Sequence, residues 1–263
     1  MKKIETIMRK EWAEVFKNRM VLFTVAFLPI ILTIIPLAIL IAMGGDSGLQ
    51  GANAEMPTQF NAFCPSNLSG GDCLQVYMVS QFMIMFMILP LAIPATISAY
   101  SIVGEKTTHS LEPLLATPIT TTELLIGKAL AAVLPAVLAT YAAFGVFAVG
   151  SFIIVRNPVL VSALLDARWL LAVFLVGPLM AIMAVSVSVM VSSRVNDPRV
   201  AEQISMVVIL PVLAFFFGQL AGLFVLNKSL ILLIALAMVV VDALVTYLAV
   251  RLFQREVILT RWK

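Results

Sequence analysis

Residues 104–128 read GEKTTHSLEPLLATPITTTELLIGK, a polar interval between two long apolar runs that carries both signs of charge. Leu111, Leu114 and Leu115 recur at i, i+3 and i+4, which gives residues 107–116 an apolar helical face. Thr107, Thr108, His109 and Glu112 fall on the opposite face. Pro118 and the threonines after it stop that helix. Thr120-Thr121-Thr122-Glu123 then matches a capping box, with Thr120 as N-cap and Glu123 at N3, and opens a new apolar helix. The spacing predicts a short helix lying on a membrane surface, a turn, and the start of a membrane-crossing helix. An amphipathic loop helix with no further role would show the same pattern.

Outward from this interval the chain is overwhelmingly apolar. Of 263 residues, 62% are hydrophobic and 12% charged, with a mean hydropathy of +1.07, where a soluble domain carries about 25% charged residues. Apolar runs near 20–43, 76–102, 127–154, 168–192, 200–226 and 229–251 are each long enough to cross a bilayer as a helix. The expected fold is all-α and integral to the membrane, one domain over residues 1–263 with six spans. Pro29, Pro36, Pro90, Pro94, Pro135, Pro178 and Pro211 fall inside these runs. Each removes a backbone donor, and a membrane helix tolerates that where neighbours satisfy the freed carbonyl. The net charge of +3 comes from residues flanking the spans, which points to the bilayer and not to nucleic acid.

In residues 1–19 the apolar positions Ile4, Ile7, Met8, Trp12, Val15 and Phe16 form one helical stripe. Lys2, Lys3, Glu5, Arg9, Lys10, Glu11, Glu14 and Lys17 are assigned to the polar face. Such a helix is expected in the membrane interface; a short soluble core helix is the alternative. No cleavable signal peptide is expected. With the N-terminus inside, fourteen of the seventeen Lys and Arg residues lie on the cytoplasmic side, leaving Arg156, Arg168 and Lys228 outside. This asymmetry predicts both termini inside. Residues 44–75 then form an outer loop holding both cysteines, Cys64 and Cys73, either joined as a disulfide on the oxidising side or present as free thiols. Asn67-Leu68-Ser69 is a glycosylation triplet in the same loop. Gly218, Gln219 and Gly222 interrupt the fifth run. They favour a helix ending near Phe217 and a short re-entrant segment over a plain hairpin.

Several chemistries lack the residues they need. No G-x-x-x-x-G-K-[ST] occurs, and Gly127-Lys128 lacks the upstream glycine, so a nucleotide loop of that kind is absent. His109 is the one histidine, which leaves no His-based metal site or catalytic triad. No metal, catalytic residue or bound cofactor is expected. Asp242 is the ionisable residue read as lying within a span, and such a group is a functional candidate by default. Gln81 and Gln219 are the other conspicuous polar side chains. All three either line a pathway or bond between helices.

The interval after the second span resembles that of the membrane subunits of ABC-2-type, or type V, ABC exporters. The resemblance rests on Glu105-Lys106, Ser110, Leu111-Glu112-Pro113-Leu114-Leu115-Ala116-Thr117-Pro118, Glu123-Leu124 and Gly127-Lys128. It also extends to the basic amphipathic N-terminal helix, the six spans and the missing nucleotide motif. It implies a multi-pass cell-membrane permease that works as an exporter. The Met and Phe residues of the second and fifth runs, among them Met83, Phe86, Phe215 and Phe217, suit a hydrophobic or amphipathic substrate, and packing against each other and lipid would explain them equally. Two copies of a separate ATPase, which hold ATP and Mg, and a second permease copy would complete the exporter, with the pathway at the dimer seam. Residues 104–127 would be the coupling segment, with Glu105, Lys106, Thr107, Thr108, His109, Ser110, Leu111, Glu112, Leu115, Thr117 and Pro118 as its docking residues. The competing reading is a secondary carrier or channel working without ATP, for which Asp242 is the one coupling charge read within the spans.

Overall fold

Lipid offers a backbone no hydrogen-bond partner, so a chain this apolar satisfies its amides locally, as helix. The computed structural model describes residues 2–43, 70–107, 120–224 and 226–252, and these contain helices and short turns but no strand. The amphipathic α1 (Lys2–Val15) leads directly into α2 (Arg19–Met43). The second span is split into α3 (Gly70–Phe86) and α4 (Leu89–Thr107), and the third is the long α5 (Thr121–Ile154). The fourth comprises α6 (Pro158–Leu164), α7 (Ala167–Leu171), a π-helical turn Ala172–Val176 and α8 (Gly177–Ser192). The fifth comprises α9 (Pro198–Ser205), a 3-10 turn Met206–Ile209 and α10 (Leu210–Leu220). The sixth is α11 (Lys228–Leu252).

These give six helical stretches long and apolar enough to cross a membrane. The second of them, Gly71–Thr107, is 37 residues long. Straight, it would reach about 55 Å, against a hydrocarbon core of about 30 Å. It is instead broken at Met87 and Ile88, and it forms the hub of the protein. α4 packs against α2, α5, α8 and α9, and Leu89, Leu91, Ile93, Ala95, Ala99, Ile102 and Val103 are sealed from solvent. The first, fifth and sixth spans are peripheral and turn large apolar side chains such as Phe23, Phe27, Phe217 and Leu236 outward. Small residues set the close approaches. A Cβ on Gly150 of α5 would lie 2.7 Å from Leu37 Cδ2 of α2, so the glycine lets these two helices touch.

Three of the prolines read from the sequence leave carbonyls that the fold visibly satisfies. Pro135 frees the carbonyl of Ala131, and the indole of Trp12 in α1 donates to it at 2.9 Å. Pro178 frees that of Phe174, which accepts from the Tyr141 hydroxyl at 3.3 Å. Pro211 frees that of Val207, taken by the Leu210 amide through the 3-10 turn. The Thr120–Glu123 capping box forms as read: Glu123 N donates to Thr120 Oγ1 at 3.2 Å, and Thr120 N donates to Glu123 Oε2 at 2.9 Å.

Two expectations are corrected. The fifth span ends at Leu220, close to the expected Phe217, but no re-entrant helix follows it among the described residues. α10 runs through Gly218 and Gln219 to Leu220, and the chain turns at once. Gly222 has φ 70°, its amide bonds Gln219 O at 3.0 Å, and the Leu223 amide bonds Gly218 O at 2.9 Å. This is a Schellman stop, so the glycines terminate a helix and start no second one. Gly218 lets Phe224 fold back over it, since a Cβ there would lie 2.6 Å from Phe224 Cε1. The fourth run begins earlier than the expected 168, with α6, which Asn157 caps and whose Leu160, Val161 and Leu164 are buried. Cys73 in the first turn of α3 is disulfide-bonded; Cys64, Asn67 and most of loop 44–75 lie outside the described residues.

Gly222→Ala places a Cβ in the left-handed region and is expected to cost roughly 1–2 kcal/mol. Gly145→Ala, in the middle of α5 with open space around the new methyl, is expected to be neutral or to stabilise by up to about 1 kcal/mol. Thermal unfolding of the two variants in detergent checks the opposite signs.

Candidate functional site

The described chain stops at Thr107 and resumes at Thr120, so the ends of α4 and α5 are the two roots of the segment that the sequence marks as its most distinctive. Both roots are fixed to α1. In α5, Lys128 Nζ lies 2.7 Å from Glu11 Oε1 of α1 and 2.8 Å from Glu105 Oε2 of α4. It also donates to Ser101 Oγ at 2.8 Å, and Ser101 in turn donates to Glu11 Oε2. Lys10 of α1 reaches Glu105 Oε1 and also pairs with Glu14 at 3.7 Å. Lys128, Glu11 and Glu105 side chains are each 5% exposed or less. One ammonium thus ties together α1, α4 and α5, and two lysines balance two buried glutamates.

Local packing explains why the charges meet. Lys3 of α1 faces Glu123 of α5 at 3.8 Å, Ile7 sits on Gly127 and Trp12 on Ala131, so the two helices run side by side over several turns. A Cβ on Gly127 would lie 2.8 Å from Ile7 Cγ2. The Gly-Lys pair therefore serves α1: the glycine admits Ile7, and the next residue supplies the cation for Glu11. The Lys10 ammonium is held above its ordinary range. Burial pulls it down, and the hydrogen bond and charge of Glu105, with Glu11 and Glu14 behind it, more than offset that. Its stabilising contribution is therefore complete below the unfolded value and fades only as pH rises through the higher folded value.

The expected site residues fall into three groups. Glu105, assigned to a docking surface, is turned inward into the clamp because its charge is met there by Lys10 and Lys128. Lys106 bends to the carbonyl of Val195 at 3.3 Å, in the connection between the fourth and fifth spans. Thr107 closes α4 on Gly104 O at 3.0 Å and is exposed. Thr108, His109, Ser110, Leu111, Glu112, Leu115, Thr117 and Pro118, and with them the short helix expected over 107–116, lie outside the described residues. Gln81, Gln219 and Asp242 are all buried, and among the described residues none has a side-chain hydrogen-bond partner. They are not part of the clamp.

Lys10, Glu11, Ser101 and Lys128 were missed as a site, as was Glu202 in the fifth span, whose Oε1 accepts from Thr96 at 2.7 Å. For Glu11 a signal existed. It lies four residues after Ile7 and four before Val15, both buried, at the centre of the apolar stripe and not on the polar face to which it was assigned. Lys128 likewise stands among the buried positions Leu124, Leu125, Ala131 and Ala132 of α5.

A polytopic helical membrane protein with an amphipathic helix clamped beside the roots of one polar segment is the class these features define. The chain matches the family described as ABC-2 family transporter protein over residues 5–232, from α1 into the first turns of α11, and it belongs to that family as a membrane subunit of an ABC transporter. No curated protein matches the chain.

Removing one partner from a buried ion pair leaves the other uncompensated. Lys128→Met is therefore expected to cost about 3–5 kcal/mol. The double variant Glu11→Leu/Lys128→Met keeps the Lys10–Glu105 pair in balance and should recover much of that loss. A double-mutant cycle on thermal unfolding of the purified protein measures the recovery, and equal losses in the single and double variants would contradict the pairing.

Proposed function

We propose that this chain is the permease subunit of an ATP-driven exporter, working as a pair of permeases with two copies of a separate ATPase. Its substrate is hydrophobic or amphipathic. The end of the bundle that carries α1 and residues 108–119 faces the cytoplasm of a cell whose bounding membrane it spans, with both termini inside. ATP and Mg are held by the partner, and hydrolysis takes place there. The single observation that carries this reading is the clamp. A polar stretch of sequence whose two described roots share one buried ammonium with a third helix is suited to pass a displacement into the bundle as a unit.

In this reading Thr107 to Pro118 meet the ATPase, with His109 and Glu112 supplying polar contacts on the face opposite Leu111 and Leu115. Glu105 acts one step further in, as the residue through which the segment pulls on Lys128 and α1. Closure of the ATPase pair on ATP moves the segment, the clamp carries α1 and α4 with it, and the hub position of α4 spreads the motion to α2, α8 and α9. The segment responds to nucleotide through protein contact.

The test is co-purification. The permease is expected to bring down an ATPase bearing a P-loop and to stimulate ATP hydrolysis in proteoliposomes. His109→Ala/Glu112→Ala should weaken association while leaving the thermal midpoint of the permease unchanged. Undiminished association and transport in that variant would remove the docking assignment, and transport that persists without any ATPase would favour a secondary carrier.

A further inference from the structure

Three of the six spans are broken, and the breaks meet. In the second span α3 stops at Phe86, and Met87 and Ile88 bond back three residues, to Ile84 O and Met85 O, before α4 begins. The fourth carries its π-helical turn at Ala172–Val176 and the fifth its 3-10 turn at Met206–Ile209. In each case a proline is the second residue of the helix that follows: Pro90 in α4, Pro178 in α8 and Pro211 in α10. A proline without a donor, next to a stretch wound too tight or too loose, is where a helix bends. The breaks are also neighbours. A Cβ on Gly177 would lie 4.0 Å from Pro90 Cγ. A cavity of about 60 Å³ is lined by Met87 of the first break, Ala172 and Val176 of the second, and Val212 and Phe215 of α10 just past the third, with Ile231 beside them. All its lining residues are apolar.

The packing divides at the same level. On the side of the clamp, α4, α8 and α9 pack on one another. Thr96 of α4 bonds Glu202 of α9, and Ser188 of α8 donates to Ala95 O of α4 at 3.1 Å. On the far side, α3 packs on α10. The first, third and sixth spans run past the level of the breaks as unbroken helices.

We propose that the second, fourth and fifth spans bend together at this level. The clamp-side halves α4, α8 and α9 tilt as one body against α3, α7 and α10, and the cavity is the free volume that lets the side chains at the breaks shift past one another. A close-packed interior resists such a tilt, since it deforms by switching between packings and not by gradual compression. An apolar void bordered by the breaks of the second and fourth spans and by α10 just past that of the fifth removes that resistance. What drives the tilt, the clamp moving with an ATPase, rests on the function proposed above; the hinge itself does not.

The experiment is a spin-label distance measurement along the fifth span of the full-length permease in lipid nanodiscs, between Val200→Cys in α9 and Leu220→Cys in α10. Both positions are exposed and about 30 Å apart along a helix. The expected result is a broad or two-component distribution in the otherwise unaltered protein. It should collapse to a single component when the cavity is filled by Ala172→Leu or, from another span, by Val212→Leu. A single narrow component in the unaltered protein would overturn the hinge. So would a distribution that well-folded filled variants leave as broad as before. Adding the ATPase and ATP should then shift the two populations in the unaltered protein. A broad distribution that ATP does not shift would uphold the hinge and count against the ATP-driven function.

Discussion

A lysine ammonium shut away from water is tolerated only where carboxylates surround it, because the penalty for an unpaired buried charge exceeds what one hydrogen bond returns. Lys128 meets that condition by drawing its counter-charges from two other helices, Glu11 of α1 and Glu105 of α4. The arrangement of this end of the bundle follows from that need. α1 must lie against α5 closely enough for Glu11 to reach, which requires Gly127 under Ile7. α4 must end beside α5, which requires Glu105 near its last turn. Ser101 fills the remaining hydrogen-bonding valence between the cation and Glu11.

The same accounting extends along the spans as a backbone problem. Each interior proline orphans a carbonyl, and in a water-poor surround an orphaned carbonyl must find a donor. Two of the donors come from side chains on other elements, Trp12 for the carbonyl freed by Pro135 and Tyr141 for that freed by Pro178. The Trp12 bond matters beyond its modest energy, since it anchors α1 to α5 one turn past Lys128. α1 is therefore held by an ion cluster, an indole bond and a glycine contact at successive positions, and a helix held that way turns with α5 as well as with α4.

What the sequence reveals divides along the range of the interactions. The six spans, the capping box at Thr120 and the amphipathic stripe of α1 are set by residues within two or three turns of each other, and all are readable from periodicity and local chemistry. The stop at Gly222 was half readable. The glycines marked a break, but whether a break continues as a second helix depends on Phe224 folding onto Gly218, which spacing alone does not show. The clamp was not readable as a unit. It joins positions near 10, 105 and 128: helical periodicity put Lys10 and Glu11 on a polar face, and charge counting took Lys128 only as one more basic residue on the cytoplasmic side. Nor did local spacing show that Glu105 turns inward to Lys10 and Lys128.

Under the function proposed above, in which a partner pushes on residues 108–119, the burial of Glu105 constrains how that push travels. Were Glu105 on the surface, the segment could move by flexing at its root, and the spans would feel little. With its carboxylate shared between Lys10 and Lys128, flexing at that root would separate charges in a surround that screens them poorly, so the less costly response is for α1, the end of α4 and the start of α5 to shift together. Breaking one pair would leave the other lysine still bonded to Glu105, which makes stepwise failure costly as well. The clamp thus favours transmission as a rigid unit, and in the proposed mechanism relief of the resulting tilt comes at the far end of α4, where the second span is interrupted at Met87 and Ile88.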